Sequence, residues 1–523
     1  MILNCRPHDI PGLNSNRFYL DYIADQGRAR HFFTLAPLDF VGALAQRRTH
    51  SYPRQAVVDA LRAYHEALTA GPQTLQNIAA LAAPETWCVI SGQQAGFLGG
   101  PAYTAYKIIT AIRLAQRLQA ELGTRVVPLF WLASEDHDLA EVNHSYFQRP
   151  DGEIAQARFD WADEGRPIAD LPVTAEVRKA YDAYFAGMAR GPHWESAQAI
   201  VDPGDETGFA RWQARIWLKL FASQGLIVVE PHLLRQIARP FFLFALEQSD
   251  EIHRRLANVA QELQAAGYTP SLDPTQNGSL FTFNETGRRV RVNEPTAHIA
   301  HCQTYPERYS TDAALRPLLA DALLPTLVSV LGPGETAYQG MLKPLYELFR
   351  IPQPAIMPRQ SYTVLGYAEW TRLKRYGVTV EQLVCGQFDL EATYQNLIPA
   401  TERALFDQAR AQSKAALAPL KLYLAEIDPA LARTWEQTAE YNARNIDKLE
   451  EKAFKARLSR AGVSRQELRT LQNLLTPRGR PQEREFALPY LINRYGPALI
   501  EHLFGAGELD DFSHHILIVE ESA

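Results

Sequence analysis

"WCVISGQQAGFLGGPAYTAYKIITAIRLAQRLQAELGTRVVPLFWLA", Trp87 to Ala133, holds two apolar runs with a glycine-rich turn and a helical period between them. "WCVIS" (87–91) and "RVVPLFWLA" (125–133) are too short for buried helices and too apolar for one-sided strands. They read as strands buried on both faces, which is the habit of parallel sheets. Between them "AYKIITAIRLAQRLQAEL" repeats its apolar positions with a helical period. Strand, loop, helix, strand is the βαβ unit.

The same alternation extends outward. "GLIVVE" (225–230), "PTLVSVLG" (325–332) and "PAIMPR" (354–359) are three more strand candidates. "GFARWQARIWLKLFASQ" supplies a helix before the first of them. An α/β fold follows, an open parallel sheet with helices on both faces. Residues 1–80 read as helical, as in "RQAVVDALRAYHEALTA", and 1–140 form these helices plus the first half of the core. Residues 141–205 and 265–322 break the alternation with turns and short β segments, and read as two insertions. The core resumes over 206–264 and 323–380. Residues 381–475 carry two long Ala/Glu/Lys/Arg-rich helical patterns separated by "DPA" (428–430), a stop and restart that predicts an antiparallel hairpin or coiled coil. Such a pair leaves its apolar stripe uncovered, so a homodimer through the hairpin is expected. Residues 476–523 return to globular texture and are expected to pack on the core.

Composition sets the outer limits. The chain has 523 residues, 46% hydrophobic and 21% charged, with a formal net charge of −6. No basic field points to nucleic acid. No apolar run reaches the length of a membrane span, and the first residues lack the apolar core of a signal peptide, so a cytoplasmic protein is expected. The cysteines are Cys5, Cys88, Cys302 and Cys385, far apart and without a C-x-x-C. Neither a disulfide framework nor a zinc site of four thiolates is expected.

Ligands of open parallel sheets bind beyond the carboxyl ends of the strands. After the first strand, Gly99 and Gly100 permit close backbone approach, and Gln93, Gln94 and Tyr103 add polar groups. Lys107 stands about two turns into the helix, within reach of a phosphate or carboxylate. After the second strand comes "SEDHD": Glu135, Asp136, His137 and Asp138, with Asn143 close behind. That cluster suits proton transfer or hydrogen bonding, although Asp136 or Asp138 could also cap a helix. After the fourth strand Gly332 and Gly334 flank Pro333, and Glu335 opens a helix. Arg359 ends the fifth strand, as an anion clamp or as a structural ion pair. His298, His301 and Cys302 invite a zinc reading but are taken as polar loop residues, and no metal is assigned. Asn493 and Arg494, in "NRYGP", are candidates for a second ligand contact.

"SGQQAGFLGGPAYTAYKI", "VPLFWLASEDHDLAEVN", "VLGPGETAYQGMLK", "IMPR" and "LINRYGP", in that order, resemble the BshC family, the cysteine-adding enzymes of bacillithiol biosynthesis. The resemblance implies a Rossmann-like core related to class I aminoacyl-tRNA synthetases, two connecting-peptide-type insertions and a C-terminal helical coiled coil used for dimerisation. It implies a ligase that joins L-cysteine through its carboxyl group to the amine of glucosaminyl malate. ATP is the expected cosubstrate. Where the related synthetases carry a His-x-Gly-His motif, this chain has "GGPAY". His137 is then the expected base, oriented by Glu135, Asp136 and Asp138, with Lys107 and Arg359 supplying positive charge. Two other readings fit the same residues: a metal-dependent nucleotidyl transferase or hydrolase centred on "SEDHD", and a nucleotide-binding dimeric scaffold or sensor.

Overall fold

The structure is a computed structural model that describes residues 1–520 apart from 12, 14, 162–164, 391, 394–396, 461 and 463. Positions 162–164 of the first expected insertion and 521–523 of the C-terminal segment lie outside the described residues.

Thirteen strands are named in chain order: β1 (Ile2–Cys5), β2 (Thr86–Gln94), β3 (Arg125–Ala133), β4 (His144–Gln148), β5 (Ile154–Arg158), β6 (Ile227–Val229), β7 (Leu280–Phe283), β8 (Arg289–Arg291), β9 (Tyr309–Thr311), β10 (Thr326–Leu331), β11 (Ala355–Pro358), β12 (Ser361–Gly366) and β13 (His514–Val519). The helices that matter here are α1 (Tyr103–Leu122), α2 (Phe209–Leu220), α3 (Pro333–Gln339), α4 (Val380–Val384), α5 (Ala400–Ile427), α6 (Leu431–Arg460) and α7 (Arg465–Leu475).

All five strand candidates join one parallel sheet in the order β11-β10-β2-β3-β6. Val89, Val127, Leu129, Val228 and Val330 are fully shielded from solvent, as two-sided burial demands. The chain runs from β2 outward to β3 and β6, then returns to lay β10 and β11 on the other side of β2. The order therefore reverses between β2 and β10, and a crevice opens at such a switch point.

The turn between β2 and α1 is tight. Leu98, Gly99 and Gly100 all have positive φ, at 58°, 87° and 73°. A Cβ on Gly99 would lie 2.9 Å from the Trp217 ring of α2. Gly99 N–H also donates to Gln213 Oε1. Gly99 lets the loop lie flat on α2, and Gly100 folds the loop back on Gly96. α1 ends at Gly123, left-handed at φ 62°, a common helix stop.

The N-terminal stretch read as helical opens instead on a strand. β1 runs antiparallel to β13, and β13 runs parallel to β12, in a second small sheet. β1 is only four residues long and its partner lies some five hundred residues away, so no local period announces it. Between the core strands, β4 and β5 form a hairpin, and β8-β7-β9 form a small antiparallel sheet. α5 and α6 form the expected hairpin around Asp428, whose Oδ1 accepts from Ala430 N–H. Trp435 Nε1 donates across it to the Leu417 carbonyl. No residue of α5 is buried, and only Phe454 and Leu458 of α6 are.

Candidate functional site

A cavity of about 830 Å³ opens at the switch point. Its floor is Ile90–Gln94 of β2, Trp131 and Ala133 of β3, and Ser329 and Leu331 of β10. α3 walls one side, and the β7-β8 region closes over it with Phe281, Arg289 and Arg291. Arg484, from the C-terminal segment, reaches the rim. Parts of the chain nearly four hundred residues apart thus share one cavity.

Two ion pairs stand in its wall, one half-buried and one fully buried. Lys107, 2% exposed, points its Nζ at Glu335 Oε2, 2.5 Å away. The same Nζ donates to the Gly92 carbonyl at 2.8 Å and to Gln93 Oε1 at 3.0 Å. Burial lowers its proton affinity while Glu335 works the other way, and the net direction is down. Glu335 Oε2 also accepts from Gly332 N–H at 2.7 Å, and Gln93 donates to the Tyr103 hydroxyl at 3.1 Å. Arg359 makes a bidentate pair with Glu483, the closer contact 2.5 Å. Burial opposes the Glu483 charge, but Arg359 outweighs it and holds the carboxyl below its usual range.

"SEDHD" disperses rather than converging. Glu135 is buried and accepts from Arg235 Nε at 2.6 Å. Asp136 lines the cavity, where it accepts from Arg316 and Gln94 and lies 3.6 Å from Arg289 Nη1. Burial would raise its pKa, but Arg316 and Arg289 together depress it. His137 is outside the cavity lining, beside Phe281, with Nδ1 3.4 Å from Arg289 Nη1. Partial burial and the Arg289 charge lower its pKa. Asp138 caps the short turn Leu139–Val142 through Ala140 N–H. Of the four residues expected to hold the acid–base chemistry, only Asp136 faces the cavity.

Other expectations meet satisfied, structural surroundings. Gly99 faces α2 and Gly100 packs against Gly96 and Thr104, both outside the cavity lining, whereas Gly332 and Gly334 line it. Asn143 is buried and donates to the Phe159 carbonyl. Asn493 is buried and bonds to the Ala189 carbonyl and Gly191 N–H. Arg494 pairs with Glu369. None of these three reaches the cavity. His298 and His301 both bond through Nδ1 to the Tyr309 hydroxyl, and Cys302 is fully buried. Among the described residues no three His, Cys, Asp or Glu side chains gather as metal ligands.

Arg289, Arg291, Arg316 and Arg484 line the cavity without having been expected there. A signal existed for two of them. In "GRRVRVNE" Arg289 and Arg291 alternate with Val290, so both fall on one face of a strand. Arg316 and Arg484 carry no such mark, because only folding brings them in.

The family model described as bacillithiol biosynthesis BshC, N-terminal Rossmann-like domain, matches residues 6–360. The model for the C-terminal coiled-coil domain of the same family matches 363–519. A protein of Geobacillus sp. (strain WCH70), named "Putative cysteine ligase BshC", is 32% identical over 481 residues, covering 87% of this chain and 88% of its own. Proteins of the same name from Geobacillus thermodenitrificans and Symbiobacterium thermophilum are 30% and 32% identical. They cover 98% and 89% of this chain, and 99% and 90% of their own lengths.

Proposed function

The chain belongs to the bacillithiol biosynthesis BshC family, and on that premise we propose that it is the ligase joining the carboxyl group of L-cysteine to the amine of glucosaminyl malate. The observation that carries this reading is the switch-point cavity, which brings fixed positive charge and paired carboxylates to the ends of the β2 and β10 strands. A carboxylate does not acylate an amine unaided, because its oxygen is too poor a leaving group. In this proposal a cysteine carboxylate oxygen attacks a phosphorus of ATP, and the amine then displaces the phosphorylated oxygen from the carbonyl carbon. Both steps depend mainly on positioning and on charge stabilisation.

Arg291 and Arg484 supply that charge, together with Arg289 and Arg316, which share the single carboxylate of Asp136. Lys107 and Arg359 contribute less than their type suggests, since Glu335 and Glu483 already neutralise them. The amine must lose a proton as the amide forms. Asp136 is a poor acceptor because its arginines hold it ionised. His137 stands outside the cavity. Glu335, on the cavity wall and bridged to Lys107, is the acceptor we assign. The enzyme works as a cytoplasmic homodimer in this reading, through the exposed Leu420, Leu422 and Tyr423 of the hairpin. Among the described residues no helix is long and apolar enough to cross a membrane.

The test is reconstitution. Purified protein is given L-cysteine, glucosaminyl malate and ATP, and bacillithiol is followed by thiol-specific derivatisation. Arg316→Ala and Glu335→Gln are expected to form product at least about 100-fold more slowly. Nucleotide products identify the attacked phosphorus: ADP with phosphate, or AMP with pyrophosphate. Full activity without nucleotide, or wild-type rates in both variants, overturns the assignment.

A further inference from the structure

Two of the four cysteines meet in space. Cys5 ends β1, and Cys385 follows the last turn of α4. Cys5 is buried in the apolar cluster formed by Val380, Leu383 and Val384 of α4, and Cys385 packs against that same cluster. The two thiols are close enough to perturb one another's ionisation. Both are free thiols, Cys5 buried and Cys385 partly exposed. Arg6, Asp9 and Glu381 are the charged groups around them. Cys88 and Cys302, in contrast, are fully buried.

We propose that Cys5 and Cys385 form a reversible disulfide with low-molecular-weight disulfides as the oxidant, a modification site that staples β1 to the base of the helical hairpin. The steps balance. The Cys385 thiol loses its proton and attacks one sulfur of a disulfide RSSR, releasing RS⁻, which takes up a proton. Cys385 now carries a mixed disulfide with R. The Cys5 thiol then loses its proton, attacks the Cys385 sulfur and expels the second RS⁻, which is protonated in turn. The two cysteines give up two electrons and two protons, and RSSR becomes two RSH. An added thiol runs the sequence backwards.

The division of labour follows from exposure. Cys385 is reachable by a small disulfide, and Cys5 is not. Burial pushes both thiols above the ordinary cysteine range, Cys5 the further, so the thiolate fraction of Cys385 paces the exchange. Once the mixed disulfide exists, proximity favours the internal step over escape. Disulfides of this kind in reducing compartments are transient and regulatory rather than structural. The link has consequences for the site. β1 pairs with β13, which pairs with β12, and β12 begins two residues after Arg359 in the cavity wall.

The experiment uses the full wild-type chain. It is incubated with cystine or oxidised glutathione, its remaining thiols are alkylated, and tryptic peptides are mapped by mass spectrometry. The expected result is a Cys5–Cys385 cross-linked peptide that dithiothreitol abolishes, with Cys88 and Cys302 alkylated only after unfolding. In Cys5→Ser the same treatment should leave a persistent adduct on Cys385 that the wild type clears. Absence of the cross-link in oxidised wild type, whether both thiols stay free or Cys385 only carries an adduct, overturns the proposal.

Discussion

The cavity wall and the helical hairpin use the same residue types to opposite ends. In the wall, Arg359 and Glu483 are each almost entirely buried and bonded bidentately. In the hairpin, a half-buried Arg410 reaches Asp407 and Asp447, both open to water, and the less exposed Glu450. A buried pair gains little on net against apolar residues of its size, because both charges were taken out of water. Removing one partner leaves the other desolvated and uncompensated. An exposed pair gives and costs little, because water replaces the partner. The wall therefore holds its charges in fixed positions, whereas the hairpin keeps its charges in or near water and leaves Leu420, Leu422 and Tyr423 exposed.

Breaking the wall should have the largest effect. Glu483→Gln strands a buried guanidinium and should cost about 3–5 kcal/mol in urea unfolding. A loss below about 1 kcal/mol would mean that the pair is far more hydrated than its burial indicates.

Acid sharpens the contrast next. His65 and His514 are buried neutral, their pKa values lowered to about 4, in both cases first by burial. Val228 N–H donates to His65 Nε2, while Ser361 and Thr363 hydroxyls flank His514. The unfolded chain binds protons at these residues near pH 6.5, and the folded chain only near 4. Stability is therefore full above pH 6.5 and falls as the pH drops toward 4, by roughly 3 kcal/mol per histidine. His514→Asn should flatten that slope in unfolding measured from pH 7 to pH 4.5. An unchanged slope would remove His514 from the account.

Lys107→Met comes third. Glu335 is about a quarter exposed, so water can partly solvate the orphaned carboxylate. A loss of about 1–2 kcal/mol is expected in the same assay, well below that of Glu483→Gln. Equal losses would show that the two pairs are equally desolvated. Arg410→Ala should move stability by less than about 1 kcal/mol, and any residual effect should vanish in high salt. A larger, salt-insensitive loss would mean that the hairpin network is not exposed in solution.

The core strands were legible because two-sided burial writes a continuous apolar run. "RVVPLFWLA" became β3 residue for residue, and "DPA" became the hairpin turn. β1 and β13 were not legible, since short strands paired across the whole chain carry no local period. In the site, the floor at Gln93, Gln94 and Gly332 followed from strand ends alone. The roles of "SEDHD" did not. Its four ionisable residues look alike in one dimension, and only their neighbours separate a cavity carboxylate from a cap and a core ion pair.

By itself, then, the sequence determined the parallel sheet, the helical hairpin and the strand ends that open onto the cavity, because each is set by periodicity over neighbouring residues. The tertiary structure alone decided which charges are free. Glu335 and Glu483 cancel Lys107 and Arg359, Asp136 is shared by Arg289 and Arg316, and Arg291 and Arg484 arrive from distant segments to face the cavity. It likewise brought Cys5 and Cys385 to one apolar cluster. Partnership between residues hundreds of positions apart is fixed by packing, and packing leaves no period in the chain.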